Sequence, residues 1–384
     1  MWDGLELIDW EDLTHAYGSA GDVPLMLMEL NSDDPEVRDQ AFSDAYGNIF
    51  HQGDRYEATP YAVPFLLRIL QRPGYGAVDE LLYYLASLVV GYDSVYIPDG
   101  FGWEIERHRR ALEECRADPE RQESAEYLEA IVRITDEVRA GVDAYVGFLK
   151  EGDPEVRIAA AYVLAFLPES YGEFSEALLE VAASDPDVDL RGNGLIALAL
   201  AGESADAPRE PFEEALSSEE EFLRVAGAMG LAILGEVSSE VIATLLGVIS
   251  KRIRVRSPFP WHFGEFATVA TKCLARVCED PQVLLDSLES SLAGMGTLQA
   301  ASAATVVMGL LFPEGFGGET RALTAPQRRW LALLAGVATP WEFSGGEFSD
   351  DGLSGASYAN FSLMMKNHGL PSSRAELAAL LDDG

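Results

Sequence analysis

Cations, cysteines and histidines are all scarce in this chain. Its 384 residues hold 27 Lys and Arg against 64 Asp and Glu, a formal net charge of −37. So few cations count against the basic patches that grip nucleic-acid phosphates. They also count against attachment to an anionic membrane surface. The three cysteines, Cys115, Cys273 and Cys278, make no disulfide framework. Cys273 and Cys278 stand off one another's helical face, which fits buried thiols better than metal ligands. The five histidines (His15, His51, His108, His262, His368) are scattered, and no His-Glu-x-x-His pair occurs. A Gly-rich phosphate loop ending in Gly-Lys-Ser/Thr and a Gly-x-Ser-x-Gly elbow are also absent. We therefore expect no enzyme, and we assign no catalytic, cofactor-binding or metal-binding residue and no cofactor. The longest apolar stretches, around Leu81 to Val90 and Leu195 to Ala201, are too short to span a bilayer. The start, Met1 to Asp9, is acidic where a secretory signal is basic. The expectation is a cytoplasmic protein that does not bind membranes.

What is present is a globular apolar share of 48% and a short phrase that returns four times. It reads Asp34-Pro35-Glu36-Val37-Arg38, Asp153-Pro154-Glu155-Val156-Arg157, Asp185-Pro186-Asp187-Val188-Asp189-Leu190-Arg191 and Glu219-Glu220-Glu221-Phe222-Leu223-Arg224. The last three arginines lie 34 and 33 residues apart. A fixed period of that size marks stacked units, each too small to bury its own apolar face. Asp at the first position suits an N-cap, Pro the first helical position, and acids the positive end of the helix dipole. A small residue follows each arginine by three places (Ala41, Ala160, Gly194, Gly227), on the face where a neighbouring helix would approach. The four arginines are expected to pair with carboxylates of adjacent units, as a ladder along the stack.

The pattern continues beyond the phrase. Helical pairs are expected over Pro24–Leu30 with Pro35–Phe50, and over Pro60–Leu70 with Ala77–Val90. Ser238–Ser250 with Phe263–Cys278 forms another, and Asp280-Pro281 and Thr297 open two more helices. No strand alternation is visible. The fold class is all-α: an α-solenoid, or superhelix, of about seven to nine helical hairpins with a C-terminal helical cap. We divide it into an acidic lead-in at 1–21, a solenoid at 22–312 with an irregular region at 92–150, and a cap at 313–384.

Asp-Pro-x-Val-Arg-x-x-Ala at 34–41 and 153–160 resembles HEAT repeats. The resemblance extends from about Pro24 to Leu311; the copies at 185 and 219 are degenerate. The stretch Tyr46 to Thr59 with Ala62-Val63-Pro64-Phe65-Leu66, and the ending Phe361-Ser362…His368-Gly369-Leu370-Pro371, look like bacterial HEAT-repeat proteins. Some of those relatives look like immunity proteins encoded beside toxins. The resemblance implies a protein-binding scaffold. The minority of HEAT arrays that act on nucleic acid have a basic groove, from which this sequence departs.

Function is expected where the phrase fails. One such place is the aromatic loop Gly91–Gly102, giving Tyr96 and Trp103 as candidates. Another is the basic island from Lys251 to His262, giving Arg254, Arg256, Trp261 and His262. That island reads either as an anion contact with aromatic stacking or as a loop neutralised by an acidic body. Two acidic zones stand out, with a net of −12 over residues 1–60 and −7 over Glu203–Glu221. The second gives Glu213, Glu214 and Glu220 as candidates. His51 with Asp54 or Glu57 invites a catalytic reading, but a polar turn between repeats accounts for the same residues. The expected partner is a basic protein, held through the concave face and loops without direct contact to nucleic acid. The alternatives are a nucleic-acid mimic or a subunit of a DNA-processing enzyme.

Overall fold

Capping decides where several helices begin. The Asp34 side chain accepts the Glu36 N–H at 3.0 Å, and Pro35 fills the first turn. Asp187 takes the Asp189 and Leu190 N–H groups, Asp280 that of Gln282, and Ser238 that of Val241. Thr324 and Gln327 close a reciprocal capping box. The structure, a computed structural model, describes residues 1–342 and 361–382, apart from 206, 279 and 319. At 94, 103, 119, 123 and 321 it describes the backbone alone.

Two compact units divide the chain, Met1–Pro211 and Phe212–Gly384. The first holds α1 (Val23–Leu30), α2 (Pro35–Gly47), α3 (Thr59–Leu70), α4 (Val78–Val90) and α5 (Gly102–Arg116). It continues with α6 (Gln122–Arg139), α7 (Val142–Glu151), α8 (Pro154–Leu164), α9 (Tyr171–Ser184) and α10 (Val188–Gly202). After α11 (Glu210–Leu216), which begins at the last residues of the first unit, come α12 (Glu221–Ile233), α13 (Ser239–Ile249), α14 (Phe266–Val277) and α15 (Pro281–Ser291). The described chain closes with α16 (Thr297–Leu311), α17 (Ala325–Gly336), α18 (Phe361–Asn367) and α19 (Arg374–Asp382).

Within each unit the helices alternate between two rows. In the first, α1 meets α3 and α7 meets α9, while α4 meets α8 and α8 meets α10. The α5–α6 hairpin is an addition to that order, with α6 lying on α3 and α4. In the second, α13, α15, α17 and α19 form one row, and α12, α14, α16 and α18 the other. This is an all-α, solenoid-like order compatible with a helical repeat. In the expected cap at 313–384, α17 and α19 extend their row. Residues 343–360 of that expected cap lie outside the described residues. Leu27, Leu81, Leu85, Leu198 and Leu245 are fully buried between the rows, each worth about 1.5–3 kcal/mol relative to exposure.

Two small features depart from the helical reading. Thr14–His15 pairs with Gly18–Ser19 (β1 and β2), and Phe50–His51 with Asp54–Arg55 (β3 and β4). The second hairpin turns on Gln52 (φ 53°) and Gly53 (φ 93°), the positive pair that a tight two-residue hairpin needs. Strands of two residues carry no alternation for a sequence to show.

The repeated phrase works differently at its two ends. The small residues behave as expected: Ala41 and Ala160 are fully buried, and a Cβ on Gly194 would stand 3.2 Å from Val181 Cγ1. At Gly227 it would stand 2.6 Å from the Phe212 carbonyl oxygen and Leu216 nitrogen, so backbone meets backbone there. The arginines do not form the expected ladder. Arg38 donates to the Ser32 carbonyl, Arg157 to Leu149, Arg191 to Ala182 and Arg224 to Ser218. Arg157 and Arg191 thus bind carbonyls in the last turns of α7 and α9, where a cation also suits the dipole, and Arg38 and Arg224 bind carbonyls two residues past the ends of α1 and α11. Among the described residues only Arg157 of the four also forms an ion pair, with Asp185 of the next phrase.

Candidate functional site

In the second unit, Glu213 and Glu214 stand on α11, and Glu219, Glu220 and Glu221 lead into α12. All five are exposed, and their carboxylates have no hydrogen-bond or ion-pair partner among the described residues. Glu213 also lines a pocket of about 270 Å³ with Leu216, Leu231 and Val241 at its base. Glu236 and Glu240 share its rim. The arrangement is a mostly polar depression lined by three glutamates and a few apolar side chains.

The basic loop of the same unit splits into two faces. Lys251, Arg252, Arg254 and Arg256 are exposed. Arg254 Nε donates to the Lys251 carbonyl at 3.3 Å, and Lys251 Nζ to that of Gly294. The aromatic half turns inward instead: Trp261 is 0% exposed and His262 is 4% exposed. Phe259 stacks on Phe266, ring centroids 3.7 Å apart. Trp261 is thus part of the core, and no platform for a base or ring forms from it. The reversal is made at His262 and Phe263, both in the left-handed region (φ 48° and 56°), which costs on the order of 1–2 kcal/mol per residue. Burial, and then the charge of Lys272, push the His262 imidazole down to about 4.

In the first unit, Tyr96 is half-buried and packs edge-on against Phe101 at 5.0 Å. Burial pushes its hydroxyl up to about 12, with the Arg55 charge opposing. The loop folds inward, with Asp93, Ile97 and Phe101 buried. Trp103 lies in the first turn of α5, and its side chain is outside the described residues. His51 sits in β3 opposite Asp54, edge-on to Tyr17 at 5.5 Å. Glu57 accepts from the Thr14 hydroxyl at 3.2 Å. The turn is held by its own backbone and by Arg55, which donates to the Gly53 carbonyl.

One feature of this unit escaped the sequence reading. A groove of about 520 Å³ opens between the end of α3, the start of α4, α7 and the start of α8. Val78, Ala144, Gly147, Phe148 and Val156 line it, with Glu151 and Asp153 on its rim. The signal lay in Gly147, a glycine inside an otherwise good helix. Among the described residues no three His, Cys, Asp or Glu side chains gather as a metal site would require. No described helix is long and apolar enough to cross a membrane. No protein-family model and no curated protein matches this chain.

Proposed function

We propose that this chain is a binding protein of HEAT-like build that holds a basic protein partner by charge complementarity. The observation that carries the reading is the row of carboxylates at Glu213, Glu214, Glu219, Glu220 and Glu221, exposed and without internal partners. A chain of net charge −37 also draws a cationic protein from a distance and sets its on-rate more than its affinity. In its sharpest form the reading is an immunity protein that caps a cationic toxin, such as a nuclease.

The test is affinity capture from the native host with the full chain as bait, at low and at high salt. A cationic partner that is retained at low salt and released at high salt is the expected result. Retention that ignores salt overturns the electrostatic mechanism. For the immunity form, coexpression with the captured partner must restore growth that the partner alone abolishes. Displacement of the partner by DNA would put the nucleic-acid mimic in its place.

A further inference from the structure

The groove of the first unit is built from residues whose arrangement the fold does not require. Gly147 lies in the middle of α7, where glycine costs about 0.5–1 kcal/mol relative to alanine. Glycine there usually makes room for a neighbour, as at Gly227. At Gly147 an added Cβ would meet nothing within 4 Å. The missing side chain leaves open the floor formed by Ala144, Phe148 and Val156. Asp153 stands at the N-cap of α8 but makes no side-chain cap bond, and it lines the groove. Glu151 stands beside it, and no Lys or Arg lines the space.

We propose that this groove seats a cationic amphipathic segment of the protein partner. One apolar side chain of the segment rests over Gly147 against Phe148 and Val156. A lysine or arginine beside it pairs with Asp153 and Glu151. The volume falls in the range of sites that take a side chain or small ligand, and the rim charge selects the sign of its neighbour. The inference rests on the basic-partner reading and adds a seat to it.

The test uses the full chain with two fluorescent peptides, one of leucine and lysine and one of serine and lysine, followed by anisotropy at low salt. Gly147→Leu fills the groove at a position with free space, and its helical signal and melting curve report that the fold is kept. The leucine–lysine peptide should bind the wild type and lose about tenfold in affinity to Gly147→Leu. It should lose a similar amount to the paired change Glu151→Gln with Asp153→Asn, which leaves the backbone untouched. The serine–lysine peptide should bind more weakly and not distinguish wild type from Gly147→Leu. Equal binding of the leucine–lysine peptide to wild type and both variants overturns the groove and leaves the basic-partner reading standing. Failure of both peptides to bind the wild type removes both readings.

Discussion

The same five residues, Asp-Pro-Glu-Val-Arg, open α2 and α8, and their side chains do different work. At α2, Asp34 caps the helix, and Arg38, 9% exposed, donates to Ser32 and lies over the Tyr75 ring. At α8, Asp153 makes no cap bond, and Arg157 binds both the Leu149 carbonyl and the Asp185 carboxylate. The links before the two copies also differ. Three residues, Asn31 to Asp33, separate α1 from Asp34, whereas Gly152 alone separates α7 from Asp153. Asp153 sits at ψ 161°, against 116° at Asp34, and its side chain makes no cap bond and lines the groove. The motif thus opens a helix in both copies, while its side chains take different partners.

Three substitutions per copy would sharpen or break this contrast, each read by urea denaturation. The largest effect is expected at the arginines. The Arg157 and Asp185 side chains are only 18% and 8% exposed, so Arg157→Ala strands a half-hidden carboxylate and should lose about 2–3 kcal/mol. Arg38→Ala removes one carbonyl bond and a ring contact, about 1–2 kcal/mol. The pH dependence separates them further. Burial alone would raise the Asp185 carboxyl, but Arg157 and the Asp187 N–H prevail and hold it below its ordinary value of 3.8. Its contribution is therefore complete above that value and is lost as pH falls through its lowered pKa. The Arg157→Ala loss should shrink at acid pH; a loss that stays constant would show that the carbonyl bond, not the ion pair, dominates.

Next in size is the link itself. A Cβ on Gly152 would stand 2.7 Å from the Phe148 carbonyl oxygen and from Val156 Cγ1, so Gly152→Ala should cost about 1–3 kcal/mol. Asp33→Ala, at the matching place in the first copy, loses an exposed pair with Arg72 and should cost under about 1 kcal/mol. The smallest effects are at the caps. Asp34→Ala should lose about 1 kcal/mol, and Asp153→Ala should stay within about 0.5 kcal/mol of wild type. Equal losses at the two aspartates would mean that Asp153 caps its helix in solution, and the groove would lose its rim.

Legibility followed the range of the interactions. Asp34 and Asp280 were readable because a cap is settled within four residues; in the third copy the cap expected at Asp185 falls instead at Asp187, two residues later. The close-packing glycine at 227 was readable because it falls at a fixed offset from the arginine. Three of the four arginines were misassigned because the carbonyls they bind carry no sequence signal, unlike the carboxylates expected for a ladder; only Arg157 also meets the expected kind of partner, Asp185. Trp261 was misplaced for a similar reason: it stands among exposed cations in sequence, and only the left-handed turn at His262 and Phe263 buries it. The exposed acids at 213, 214 and 220 were found correctly as charge, but not the pocket that Glu213 borders, whose walls come from three helices.

By itself, the sequence determined that the chain is helical, where several of its helices start, and that its surface is strongly negative. Those properties depend on neighbours along the chain or on composition. Only the tertiary structure decided which carboxylates stay unpaired, which aromatics reach solvent, and that a glycine inside α7 opens a groove. Those outcomes depend on residues far apart in sequence, and identical residues such as Asp34 and Asp153 take different roles there.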